Sequence, residues 1–368
     1  MDRRCLNLAN PTIKLLKIVG SPFAPEQKQD LPKNKEEALE LYNHAIKNKI
    51  GLLYLDTLQK RGKIHDLGLE AEYKKELEKH NEQLITMTRA SKLLNSLSCD
   101  YAIFKSIMPF PAVPNDVDIV YFNSYEELNS IVKKFLSSGY KEVVPKGYPY
   151  RKNLKFKLHD SRICGHVDPD ANDVYDLDLY YAILVSYIAY LNRVNFRKYI
   201  TKTRIKGEEV KVLSPEADLV TVIAHSVIVE QLFTLLSYYA TLYYLSRISI
   251  DDFILITKEN HVASPIKAHF SLVAELHRLS NGFIPEKIKE VLTELGSENR
   301  EKMLLAKNNF KMPHKYSSIT IIKALLEKMK EKEFRRSVVK QIMYTLKDPK
   351  LAGWVVYHIV RRRRRETY

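Results

Sequence analysis

Asn115-Asp116-Val117-Asp118-Ile119-Val120-Tyr121-Phe122 is the stretch on which the reading of this chain turns. From Val117 onward it is β-branched, apolar and aromatic, which suits a pleated, half-buried strand. Side chains at i and i+2 of a strand share a face, so Asp116 and Asp118 present their carboxylates side by side. Like charges that close raise one another's proton affinity, and a divalent cation between them relieves the repulsion. Hard oxygen ligands favour magnesium. Alone, an Asp-x-Asp pair is more often a solvated turn entering a strand, so the flanking chain has to decide.

Upstream, Tyr101-Ala102-Ile103-Phe104 reads as a strand that ends at Lys105-Ser106, followed by a link containing Pro109, Pro111 and Pro114. Downstream, residues 125–138 read as a helix ended by Gly139, and strands are expected at 141–144 and 154–158. Val174-Tyr175-Asp176-Leu177-Asp178-Leu179-Tyr180 alternates, which puts Asp176, Asp178 and Tyr180 on one face. Residues 98–213 are therefore expected to form a small mixed sheet flanked by helices.

The rest is helical. Residues 1–33 read as an irregular, proline-containing leader and 34–97 as helices. Asn34 with Glu37 resembles a capping box, and Gly51 a C-terminal cap. Residues 52–60 and 69–97 give two more helices, the longer with a core stripe of Leu77, Leu84, Ile85, Thr88, Leu94 and Leu97. Ser214-Pro215-Glu216 opens a helical region that runs to about residue 360, with helices at 249–258, 263–280, 284–296, 300–310, 317–332 and 335–346. A basic tail, 361–368, contains Arg361, Arg362, Arg363, Arg364 and Arg365. The longest uncharged runs, 179–192 and 231–246, fall short of the roughly 18–20 residues a spanning helix needs and read as buried helices. No transmembrane segment is expected.

The 368 residues carry 59 Lys and Arg against 44 Asp and Glu, a net charge of +15. That balance favours polyanions such as RNA or nucleotides, or an acidic membrane surface. Cys5, Cys99 and Cys164 make no disulfide framework, which fits a reducing compartment and a cytoplasmic location. Cys164 and His166 with His159 lack the second ligand pair that a zinc site needs. His225, in an apolar helix, reads first as a core histidine, and Tyr238-Tyr239 and Tyr243-Tyr244 as packing rather than base-stacking platforms.

The order of these motifs resembles the DNA polymerase β-type nucleotidyltransferase superfamily, and more narrowly its uncharacterised nucleotidyltransferase-like family. Ile103-Phe104-Lys105-Ser106 stands where that family has a Leu-Lys-Gly strand end. Asn115 to Val120 is similar to its Asp-Ile-Asp-Leu strand, and Leu177-Asp178-Leu179-Tyr180-Tyr181 to its Val-Asp-Leu-His-Trp stretch. Ser214-Pro215-Glu216 with His225, and Phe283-Ile284-Pro285, resemble later segments, so the likeness spans about residues 35–300. It implies an α+β chain with a nucleotidyltransferase-type sheet and Mg²⁺ at Asp116 and Asp118. Asp178 is the implied third carboxylate, with Asp176 as the fallback, and Lys105 and Ser106 lie near the phosphates of an NTP. Two departures stand out: the family's strand-end glycine is missing at Lys105-Ser106, and its His-Trp pair is Tyr180-Tyr181.

The expected function is Mg²⁺-dependent transfer of a nucleotidyl group from an NTP to an acceptor hydroxyl, with RNA or a tRNA end a reasonable acceptor. The alternative is a catalytically inactive member acting as a nucleic-acid-binding or scaffold protein. A third reading is a membrane-peripheral protein whose basic tail meets anionic lipid.

Overall fold

A computed structural model describes residues 10–24, 31–143, 155–160, 176–185, 188–347, 349–350, 352–353 and 357. Cys5, Cys164, His166 and Arg361 to Arg365 lie outside them, as does the residue 174–175 start of the expected second acidic strand. The chain is α+β, a seven-stranded mixed sheet set among helices, with a helical C-terminal region.

The chain first lays down β1 (Tyr101–Ile103), β2 (Asp116–Tyr121), β3 (Tyr140–Glu142), β4 (Lys155–Asp160) and β5 (Asp176–Tyr180). A separate hairpin follows, β6 (Ile183–Val185) and β7 (Ile188–Leu191), and then β8 (Ile200–Ile205) and β9 (Glu208–Leu213) return to the main sheet. The order in that sheet is β3-β4-β5-β2-β1-β9-β8. β2 and β5 run parallel at the centre, in the register Asp116↔Asp176 and Asp118↔Asp178. β4 lies antiparallel on the other side of β5, with Lys157 opposite Asp178 and His159 opposite Asp176.

Alternation along the strands divides the sheet into two faces. Val117, Ile119, Leu177, Leu179, Phe156 and Leu158 turn one way, into a core closed by the Glu70–Ser96 and Tyr125–Ser137 helices. Asp116, Asp118, Asp176, Asp178, Lys155, Lys157 and His159 turn the other way. Beyond them Ala102, Phe104, Val120, Phe122 and Tyr180 join a second core that takes in helices from both ends of the chain, from Ile13 to Ala324.

Several expectations need correction. Residues 179–192 are not a buried helix: they finish β5 and form the β6–β7 hairpin. The residues there are rich in Ile, Val, Leu and Tyr, which suit a strand as well as a buried helix. Within the leader, Pro11–Val19 is a helix, because the Asn10 carboxamide caps the amides of Thr12 and Ile13 and proline sits in its first turn. Asn34 caps the Lys35–Lys47 helix through the Glu37 amide at 3.0 Å, but Gly51 opens the following helix, Gly51–Lys60, and Asn48 is the C-cap. In the Glu70–Ser96 helix the buried side holds Gln83, Met87, Ala90 and Leu94, whereas Leu77 and Leu97 are exposed. The C-terminal helices fall within a few residues of their expected places. Tyr238, Tyr239 and Tyr244 are buried packing residues. No helix among the described residues is long and apolar enough to cross a membrane.

Candidate functional site

The site is built where β1 ends beside β2. The Phe104 amide still bonds to the Asp118 carbonyl at 3.0 Å, continuing the ladder. The next residue, Lys105, turns away with φ +47°, in the left-handed region that favours glycine. Its amide donates to Asp218 Oδ1 at 2.6 Å, and Asp218 Oδ2 accepts from the Tyr244 hydroxyl, also at 2.6 Å. Asp218 projects from the Pro215–Ala224 helix and is buried. Burial pushes its pKa up to about 6, against hydrogen bonds from Lys105, Tyr244 and Thr221 that pull it down. A buried carboxylate thus holds a non-glycine residue in a conformation it would otherwise avoid.

Two consequences follow for Asp118. The Ser106 hydroxyl accepts from the Asp118 amide at 2.8 Å, and the Lys105 ammonium reaches Asp118 Oδ2 at 2.6 Å. Burial alone would raise the pKa of Asp118, but the charge and hydrogen bond of Lys105 outweigh it and hold the carboxyl below its ordinary value. Ser106 is buried and its hydroxyl is engaged by β2, so it fixes the aspartate rather than facing the cleft.

The acids continue across β5. Asp178 pairs with Lys155 and accepts from the Tyr180 hydroxyl at 3.3 Å. Asp176 pairs with Lys157 at 2.7 Å and with His159 Nδ1 at 2.9 Å. Asp116 has a looser contact, 3.7 Å to Lys157. Burial, the Asp178 carboxylate and Asp118 push its pKa up to about 7, Lys157 and Lys155 opposing. Lys155 and Lys157 are conversely held protonated: burial works against their charge, and the surrounding aspartates prevail.

Asp116 and Asp118 open onto a cleft of about 220 Å³. Its other walls carry Lys49, Lys105, His225, Glu230, Thr234 and Ser237. Asp178 does not line it. No family profile, curated protein or solved structure matches this chain.

His225 opens a π-helical turn, His225–Glu230, of the kind that often marks a functional site. Its Nδ1 lies 3.0 Å from the Tyr190 hydroxyl and its Nε2 2.8 Å from Glu230 Oε1. Burial and the Lys105 charge lower its pKa, so the ring is neutral at pH 7. The tautomer that satisfies both neighbours accepts from Tyr190 at Nδ1 and donates from Nε2 to Glu230. Burial would raise Glu230, but His225, Lys49 and Lys105 bring it down to about 2. This histidine is bonded to side chains and faces the cleft, unlike the core histidine expected from its apolar surroundings.

Whether the acids suit a cation can be tested on their oxygens. Asp118 Oδ1 and Asp178 Oδ1 are buried without a hydrogen-bond partner, and Asp116 is held near half-protonation by its neighbours. Those are open donor atoms and unrelieved repulsion, which a hard divalent ion satisfies. Against this, Lys105, Lys155 and Lys157 supply most of the compensating charge. Among the described residues no three acidic, histidine or cysteine side chains are drawn together as a metal cluster. The aspartates fit a cation in chemistry and in shared face, with the lysines as its direct competitors.

Proposed function

We propose that this chain is a nucleotidyltransferase that moves a nucleotidyl group from an NTP to an acceptor hydroxyl. The observation that carries the reading is the parallel register of β2 and β5, with Asp116, Asp118 and Asp178 on one face and the first two opening onto a lysine-walled cleft. Asp116 and Asp118 would hold Mg²⁺, with Asp178 completing the set. When bound, that ion neutralises phosphate charge and stabilises the leaving pyrophosphate.

The protein's own groups do the remainder. Lys105 and Lys49 border the cleft as point charges for phosphate oxygens. Lys105 can serve either Asp118 or a phosphate, since Asp218 fixes its backbone while its long side chain can swing. Asp116, with a pKa pushed up to about 7, exchanges a proton near neutrality and is suited to receive the acceptor hydroxyl's proton. Asp176 is the less suited acid, because both Lys157 and His159 already bind it. RNA, including a tRNA end, is the favoured acceptor on account of the net charge of +15.

One set of observations favours a second reading. The Lys105–Asp118 and Lys155–Asp178 pairs neutralise the acidic face without any ion, as suits a catalytically inactive protein that binds nucleotide or nucleic acid. Incubation with each labelled NTP, Mg²⁺ and total RNA separates the two. Transfer of label that falls by more than about a hundredfold in Asp116→Ala/Asp118→Ala supports the enzyme, since even the outer partners of a metal site are worth about 10–100-fold. RNA or NTP retention with no transfer, unchanged by the double substitution, sinks it in favour of the binder.

A further inference from the structure

The helix Lys332–Lys347 is turned inside out. Its inner side, packed near β7, carries Phe334, Ser337 and Gln341. Ser337 Oγ accepts from the Ala189 amide at 3.1 Å, and Gln341 is buried with its Oε1 unpartnered. The outer side carries Val339, Ile342, Met343 and Leu346, which are 56%, 53%, 50% and 79% exposed. Positions i, i+3, i+4 and i+7 form one stripe, so these four are a continuous apolar band. Arg336, Lys340 and Lys347 fall along one edge of it at helical spacing.

The preceding helix, Ser318–Lys328, repeats the inversion. It buries Thr320, Ala324 and Lys328 and exposes Ile322 and Leu326 at 53% and 65%. Beyond residue 350 the sequence continues Leu-Ala-Gly-Trp-Val-Val-Tyr-His-Ile-Val before the five arginines, and Trp354 is the chain's one tryptophan. Residues 332–368 hold eleven Lys and Arg against three Asp and Glu, a net +8 of the chain's +15.

We propose that residues 318–368 form a docking surface for an anionic lipid bilayer, on which the Val339–Leu346 band lies in the interface while the flanking and terminal cations meet the headgroups. An apolar stripe bordered by Lys and Arg is the pattern of a helix lying in the membrane plane, and a polybasic segment supplies the attraction to anionic lipid. Nucleic acid would use the cations and leave four large apolar side chains in water. A second copy of this chain would bring its own cations against these.

Co-sedimentation of the full chain with phosphatidylcholine vesicles, with and without phosphatidylglycerol, tests this. The chain should bind only the anionic vesicles, more weakly as salt rises. Ile342→Glu/Leu346→Glu, on exposed positions, should lower the partition about tenfold or more with the fold intact, and replacing Arg361 to Arg365 with Ala should do the same. Three results overturn the proposal: no binding to anionic vesicles; binding that the glutamate pair leaves unchanged; or RNA retention or a concentration-dependent dimer in its place. Loss of thermal stability on Ile342→Glu/Leu346→Glu, without vesicle binding, would instead mean that the band is covered from within the chain, and overturns it too.

Discussion

The two faces of the central sheet come from the same strands and obey opposite rules. On one, Ile119, Leu177 and Leu179 are wholly buried among apolar neighbours, and every side chain there lowers the energy of the fold. On the other, four aspartates stand on two neighbouring strands and need three lysines to be tolerable. One face is built for stability; the other holds charge in a place where charge is expensive, as sites do at a cost to the fold. Adjacent residues along β2 and β5 therefore separate the two demands.

The contrast can be broken most forcefully at Leu179 and Asp116. Leu179→Ala removes a fully buried side chain and should cost about 2–5 kcal/mol in equilibrium unfolding. Asp116→Asn, on the other face, should stabilise the protein above neutral pH. The sign follows from its raised pKa: the folded state holds the proton more tightly than the unfolded one, so stability is present below about pH 4 and is lost as pH rises through about 7. Asparagine does not titrate and escapes that loss. Thermal melts at pH 8 and pH 4 check it. The midpoint of Asp116→Asn should be higher at pH 8 only, and a midpoint lowered at both would refute the division of roles.

Much of this is legible without coordinates. Val117 to Tyr121 alternates with the acids, and Asp176, Asp178 and Tyr180 do the same, so the shared acidic face follows from period-two geometry once both segments are strands. Lys155-Phe156-Lys157-Leu158-His159 has the same alternation, yet nothing in it names its lysines as partners of the acids. Pairing β4 to β5 in that register depends on the intervening chain, which pattern cannot supply. Asp218 is harder still. It is an ordinary acid in the first turn of a helix, and only tertiary packing brings it 113 residues back to Lys105. The 179–192 run misleads because apolar residues without polar punctuation fit a helix and a tight hairpin alike.

Asp218 gives the next test. Its pKa rises from 3.8 to about 6 on folding, so the stability it contributes is full below about pH 4 and lost as pH rises to about 6. The unfolding free energy of the wild type minus that of Asp218→Asn should fall by about 3 kcal/mol across that window, a tenfold change in proton affinity being worth about 1.4 kcal/mol. Chemical denaturation at several pH values measures it. A flat difference would mean that Asp218 stays ionised throughout and that its hold on Lys105 is a simple charge contact.

Lys105 itself yields the smallest effect and the most specific one. Both Lys105→Ala and Lys105→Gly remove the ammonium from Asp118, so the loss of that pair is common to them. They differ in the backbone. At φ +47° alanine retains the strain of the left-handed region, and glycine does not. Glycine usually destabilises relative to alanine, by loosening the unfolded chain. Here the order should reverse, with Lys105→Gly more stable than Lys105→Ala by about 1 kcal/mol. If alanine is the more stable, the turn after β1 relaxes without its lysine, and the conformation belongs to the Lys105–Asp118 contact rather than to the Asp218 strap. If glycine is, the backbone at this strand end already has the shape of a glycine turn. The side chain then stands on a path that the rest of the fold fixes, and its ammonium is the only new element brought to the acidic face.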